Sequence, residues 1–485
     1  MVIKKKRVIL IVWDGLRSDF VNKRFTPNLF EFASKGVLFK NHHSVFPSCT
    51  RVNCASMVTG CYPDMHGLMG NQIYICDKNQ DLKVISTSNY KLLKEYNRQT
   101  KGNMLRKTSI TEILNDHQKK SLVLSTGSGG SAYIFDHKES GVVINSSFCF
   151  PAEISEQLRK KIGPFPVEEV PNKEQNKYLV QSFFNYFLPE MDPDLTILYL
   201  CEPDKTQHYY GIGTVQSCQT IKDNDDLFGE FLIGLQQYNS VNETDILITS
   251  DHGGSTITGT VNPVDLLIEG GFKENENSDD LTIVSSDGSI GIYLKNWQKN
   301  KIIEIIKYLQ EHEWVGPIFS KTGRGKLGLT PEIMNLELIR YKNNLAPDLL
   351  LSLNWNTGKN KNGFPGGTYA DTSVYPVGGG MHGSFSPYDM HNILIATGPS
   401  FQSGLISNYP SGNIDLAPTI LYLLGLTNSG MDGRILEEAF TGSILFSKEQ
   451  WEEKIIETEG ISYKQRLVVK EFAGREYFTM CEVNK

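Results

Sequence analysis

Asp245-Ile246-Leu247-Ile248-Thr249-Ser250-Asp251-His252-Gly253-Gly254 is a short β-branched run that breaks at a carboxylate, an imidazole and two glycines. Its length and lack of helical spacing read as a buried strand, and its end leaves two metal-binding side chain types where the chain must turn. The arrangement recurs: residues 8–13 form an apolar run into Asp14-Gly15, and 196–200 runs into Glu202-Pro203-Asp204. Residues 121–124 make a fourth clear strand, with 349–351 and 393–396 as further candidates. Helical patterns fill the gaps, the signature of a parallel sheet with helices on its faces. Ligands of such sheets bind outside the carboxyl ends of the strands, so three carboxylates are expected to converge on one sheet edge.

Working outward, Thr26-Pro27 supplies an N-cap and an N1 proline for a helix with Leu29, Phe30, Phe32 and Ala33 on its apolar face and Gly36 as its stop. Further helices are expected over 226–238 and 415–426. Between Asp251 and the glycine-rich segment at Gly378 the texture changes, with a strand over 290–294, a helix over 302–311 and a strand over 314–319. The expected fold is therefore α/β, a mostly parallel central sheet flanked by helices with an inserted smaller α+β cap. Residues 1–265 and 346–485 form the two parts of the core, and 266–345 the cap.

The 485 residues exceed what one hydrophobic core usually holds, and 39% apolar with 21% charged residues is globular composition. A net charge of −7, with scattered basic residues, argues against a nucleic acid polymer as partner. The basic cluster Lys4-Lys5-Lys6-Arg7 precedes an apolar run that stops at Asp14, too short for a secretory signal, and no apolar stretch has the length to span a bilayer. The eight cysteines show no paired metal-binding spacing, which fits reduced thiols and a cytoplasmic protein with no membrane partner. Oligomeric state is not written in the sequence.

Four segments carry chemistry. Asp251 and His252 sit together at a strand end, Asp204 and His208 are four apart and share a face if a helix begins after Pro203, and His382 follows three glycines. With Asp14 the inventory is three aspartates and three histidines, mixed oxygen and nitrogen donors that suit two divalent metal ions. Zinc fits best, with manganese or iron as alternatives. Singly, each has a bland reading: Asp14 as a helix cap, His208 as a surface histidine, His382 as a loop residue. Jointly those readings need several coincidences, all at strand ends or glycine turns.

The nucleophile must lie between such metals. Thr50, in Phe46-Pro47-Ser48-Cys49-Thr50-Arg51-Val52-Asn53, falls where a helix begins, so its hydroxyl meets the positive end of the dipole. Its bland role is an N-cap. Asn71 could donate its amide hydrogens to a phosphate oxygen, or simply occupy a turn. Arg51 either faces the substrate, where its planar fork would hold extra anionic oxygens, or pairs with a nearby carboxylate.

Taken in order, Asp14-Gly15, Thr26-Pro27-Asn28-Leu29, the turn at Thr50 with Asn53, Val58-Thr59-Gly60, Tyr62-Pro63 with His66-Gly67 and Asn71, Glu202-Pro203-Asp204 with His208, Ser250-Asp251-His252-Gly253, His382-Gly383 and Asp415-Leu416-Ala417-Pro418-Thr419 resemble the nucleotide pyrophosphatase/phosphodiesterase family of the alkaline phosphatase superfamily. The resemblance implies hydrolysis of a small phosphorylated substrate by a threonine nucleophile and two metals. It places Asp14, Thr50, Asp251 and His252 at one metal, Asp204, His208 and His382 at the other, and Asn71 on the phosphate. A phosphomonoesterase or phosphonate hydrolase on the same site is the alternative activity, and a metal-bound sensor of a phosphorylated ligand the non-catalytic one. Arg51 stands where nucleotide-cleaving members carry an aromatic residue. Ser125-Thr126-Gly127-Ser128-Gly129-Gly130 lacks the lysines of phosphonoacetate hydrolases, and Cys49-Thr50-Arg51-Val52-Asn53 lacks the maturation pattern of sulfatases.

Overall fold

A computed structural model describes residues 5–76, 82–238, 240, 243–372, 375–427, 429–443 and 450–485. Nine strands form the central sheet: β1 (Arg7–Trp13), β2 (Val37–Phe39), β3 (Ser121–Ser125), β4 (Val142–Asn145), β5 (Phe148–Phe150), β6 (Leu195–Leu200), β7 (Thr244–Thr249), β8 (Leu394–Thr397) and β9 (Leu405–Ser407). Their spatial order is β9-β2-β8-β7-β1-β6-β3-β4-β5. The five strands from β7 to β4 are parallel, while β8 and β5 join antiparallel.

The side-chain period of two explains why these strands read as continuous apolar runs. Val8, Leu10 and Val12 pack into one core, and Ile9, Ile11 and Trp13 into another on the opposite face. The helices Thr50–Thr59 and Leu416–Leu423 cover the first face; Pro27–Lys35 and Val215–Gln237 cover the second.

Two expectations differ from what is observed, and one sheet has no counterpart among them. The strand Leu349–Leu353, assigned to the core sheet from its composition, pairs with Ser289–Leu294 and Val315–Ser320 in a separate five-stranded sheet together with Leu281–Ser286 and Met334–Asn335. A buried run reads alike in either sheet. Thr26 does not cap its helix: its hydroxyl donates to Phe20 O, and Asp225 on the long helix Val215–Gln237 accepts from Asn28 N (2.9 Å) and Leu29 N (2.8 Å) instead. The C-terminal strands Glu452–Glu457, Lys464–Phe472 and Arg475–Asn484 form an antiparallel sheet that the sequence did not suggest.

The smaller sheet bears on the site through one hairpin. Asp287 and Gly288 link its strands Leu281–Ser286 and Ser289–Leu294, and Gly288 N donates to His382 O at 2.7 Å. A Cβ on Gly288 would lie 2.5 Å from Ser384 N, so only glycine permits this approach.

Candidate active site

Register brings the acidic strand ends together. Val12 pairs with Thr249 on one side and Trp13 with Leu200 on the other, so Asp14, Asp251 and Asp204 leave three adjacent parallel strands at the same level. Asp14 N donates to Leu200 O and Asp204 N to Asp14 O, tying two of these turns to each other. Gly15 adopts φ +67°, and a Cβ there would come 2.7 Å from Asp204 Cβ; its N–H donates to Asp251 Oδ1.

His208 follows from the helix Asp204–Tyr210, which opens after Pro203 and puts the two residues one turn apart, with His208 Nε2 2.9 Å from Asp204 Oδ2. His382 arrives through a short pairing of Gly380–Met381 with Ser255 and Thr256. That ladder sets the His382 ring against His252, with centroids 3.6 Å apart. His252 Nε2 lies 3.3 Å from Asp14 Oδ1 and 3.4 Å from Asp251 Oδ2, and His382 Nε2 lies 3.9 Å from Asp204 Oδ1.

These donors suit a cation. Each histidine has Nδ1 against a backbone carbonyl: Gly380 for His208, Gly253 for His252 and Ser48 for His382. A ring that donates from Nδ1 keeps its lone pair on Nε2, and in all three rings Nε2 is the atom facing the aspartates. Asp14 Oδ1 is buried with no hydrogen-bond donor among the described residues. Two groups have ligand atoms within 4.8 Å of one another, Asp14 with Asp251 and His252, and Asp204 with His252 and His382. His252 belongs to both.

The charges show the same demand. Burial, then Asp251 and Asp204, push the Asp14 carboxyl well above its ordinary range. Burial would lower His252, but Asp251, Asp14 and Asp204 hold it well above its usual value. Burial works against ionisation of Asp204, yet His208 and His382 keep it below the carboxylate range. Carboxylates buried side by side in this way make a demand for positive charge that a divalent cation would meet.

Thr50 is the first residue of the helix Thr50–Thr59, is 4% exposed, and has Oγ1 3.3 Å from His252 Nε2. Asn53 holds the turn before it. Its Oδ1 accepts from Val45 N and from Asn413 Nδ2, each at 2.9 Å, and its Nδ2 donates to Cys49 O at 3.1 Å. Asn413 Nδ2 also donates to Asp251 O, so one side chain spans the turn before Thr50 and the turn at Asp251.

Asn71 faces the first turn of the same helix. Its Oδ1 accepts from Arg51 N at 3.2 Å, which leaves Nδ2 as the donor, and Nδ2 contacts Asp287 Oδ2. Arg51 is half-buried; its Nε is buried without a partner among the described residues, and its charge draws the Asp287 carboxyl down against the burial that raises it.

Besides Asn413, sequence reasoning missed three residues here. The Tyr199 hydroxyl stands 2.6 Å from Asp14 Oδ2 and 2.9 Å from Asp251 Oδ2, although in sequence it is one apolar position of a strand. Tyr375 stacks on His208 with centroids 4.1 Å apart. Asp287 lies on a hairpin whose loop carries no motif.

The family model described as type I phosphodiesterase / nucleotide pyrophosphatase matches residues 8–356. The chain belongs to this family. Type I phosphodiesterases/nucleotide pyrophosphatases are hydrolases of phosphodiester and pyrophosphate bonds, and this chain is accordingly a hydrolase acting on phosphoric ester or phosphoanhydride bonds. Bis(5'-adenosyl)-triphosphatase enpp4 of Mus musculus is 22% identical over 477 residues, covering 97% of this chain and 88% of the relative. Ectonucleotide pyrophosphatase/phosphodiesterase family member 5 of Homo sapiens is 22% identical over 87% of this chain and 75% of its own. The solved murine ectonucleotide pyrophosphatase/phosphodiesterase 5, an inactive variant in complex with AMP, superposes with a TM-score of 0.65 at 20% identity over 90% of this chain and all of the other. That likeness shows the alkaline phosphatase-like fold.

Proposed function

We propose that this family member cleaves phosphodiester or pyrophosphate linkages with Thr50 as nucleophile between two divalent cations, zinc by preference. The observation that carries the reading is the placement of Thr50 Oγ1 at a helix N-terminus, 3.3 Å from His252 Nε2, beside two aspartate-histidine clusters. Asp14, Asp251 and His252 would hold one cation with Thr50, and Asp204, His208 and His382 the other. Bound there, the cations would supply the positive field that eases loss of the Thr50 proton and offsets charge on the departing oxygen.

The residues of the chain do the rest. Thr50 Oγ1 attacks phosphorus, the bond to the leaving oxygen breaks, and water later cleaves the phosphothreonine ester. Asn71, oriented by the Arg51 N–H, presents Nδ2 to a non-bridging oxygen. Arg51 stands one residue from the nucleophile, where its guanidinium can meet further anionic oxygens. The AMP complex of the solved relative, and the dinucleotide named for the mouse enzyme, support a nucleotide substrate.

A panel of aryl phosphate diesters, aryl phosphate monoesters, aryl sulfate and dinucleotides tests this reading. Metal-dependent turnover of the diesters or dinucleotides is expected; binding without hydrolysis across the panel would favour a sensor.

A further inference from the structure

We propose that Asp287 is a specificity-determining residue that disfavours dianionic phosphate groups; this rests on the phosphodiesterase reading above. The cap hairpin is built to put this carboxylate in the site. Gly288 N is bonded to His382 O, and Gln72 N approaches Ser286 Oγ at 3.4 Å, so the hairpin is tied to the turns of a metal-ligand candidate and of Asn71. Gly70 and Gly383 meet it at backbone distance: a Cβ on Gly70 would lie 2.3 Å from Ser286 Oγ, and one on Gly383 2.7 Å from Gly288 N. Asp287 itself stands at φ +59°, a conformation uncommon outside glycine.

From that position Asp287 occupies one donor that a phosphate would seek, Asn71 Nδ2, and acts on the charge of another, Arg51. Asn71 Nδ2 contacts its Oδ2, and the Arg51 charge favours its ionised form. A monoanionic diester needs only one oxygen seated at Asn71, whose amide group has a second N–H to offer. A dianionic monoester or inorganic phosphate brings further charge against the fixed carboxylate, whose own charge already offsets part of the Arg51 field. Asp287 thus acts as an internal anion that a doubly charged group must displace.

The experiment compares wild type with Asp287→Asn and, as a second variant, Asp287→Ser, after elemental analysis of bound metal. It measures kcat/KM for p-nitrophenyl phosphate and bis(p-nitrophenyl) phosphate, and binding of inorganic phosphate by calorimetry. Removing the charge is expected to raise the monoester-to-diester ratio about 10-fold or more and to tighten phosphate binding by a similar factor. An unchanged or lower ratio with unchanged phosphate affinity overturns the role of Asp287. Failure of the wild type to hydrolyse either ester overturns the phosphodiesterase reading instead, and phosphate affinity then decides the role of Asp287 alone.

Discussion

The Tyr199 hydroxyl stands between two carboxylates, 2.6 Å from Asp14 Oδ2 and 2.9 Å from Asp251 Oδ2. A hydroxyl has one proton to give, so it donates to the nearer Asp14 and fixes that carboxylate with Oδ1 turned towards His252 Nε2. Outer partners of this kind orient ligands and tune affinity. Tyr199→Phe keeps the ring and loses the donor, and should lower metal affinity ~10- to 100-fold with the fold intact. Metal retained against graded chelator is the readout; equal retention would show that the hydroxyl does not serve the site.

Thr50→Ala should reduce kcat by ~10³-fold or more, since the attacking oxygen is gone and water must replace it without a tethered position. The site should still bind metal, because the aspartates and histidines are untouched. Burst kinetics with the wild type, and no phosphorylated protein with the variant, complete the test. Near-normal turnover by the variant would exclude Thr50 as nucleophile.

Metal content separates the two clusters. Purified protein should carry close to two ions per chain, and Asp204→Asn or His382→Ala should each remove about one, because each deletes a donor from a set with few to spare. Full activity in chelated, metal-free protein would dismiss the cation reading altogether.

Much of this candidate site is legible in the sequence. Asp14, Asp204 and Asp251 announce themselves because each follows a buried strand, and parallel strands of similar length must end side by side. His208 followed from helical spacing after Pro203, and His252 and His382 from their glycine neighbours. The residues that escaped, Tyr199, Tyr375, Asn413 and Asp287, act through contacts 52 to 360 positions away in sequence, and no local pattern encodes those. The misplacement of Leu349–Leu353 has the same origin: strand composition reports burial, whereas sheet membership depends on partners. Thr26 read as a cap because its type fits, but Asp225 from another helix fills that role.

Asn413 offers a test of the framework under the nucleophile. Its amide joins Asn53 Oδ1 to Asp251 O in a fully buried setting. Asn413→Ala removes both bonds, leaving Asn53 Oδ1 only Val45 N and Asp251 O only Asn392 Nδ2, and should cost about 1–3 kcal/mol of stability. The loss should appear in denaturant midpoints, and kcat should fall more than KM rises, because the turn at Thr50 loses its tie to the turn at Asp251. Unchanged stability would mean that Val45 N and Asn392 Nδ2 satisfy these acceptors without Asn413.

Gly288 tests whether the cap hairpin belongs to the site. An alanine Cβ there would fall 2.5 Å from Ser384 N and 2.8 Å from both Gly383 C and His382 O, all backbone atoms of the turn that carries a metal-ligand candidate. None of these can swing aside as a side-chain tip would, so the hairpin itself must lift. Lifting it breaks the bond from Gly288 N to His382 O and draws Asp287 away from Asn71. Gly288→Ala is therefore expected to lose about 1–3 kcal/mol of stability, the usual cost of overpacking. It should also change kinetics in a particular way: with Asp287 withdrawn, phosphate inhibition should strengthen even as diester kcat/KM falls through the disturbed His382 turn. Weaker inhibition together with weaker catalysis would point to simple damage at the metal cluster, and unchanged kinetics would place the hairpin outside the working site.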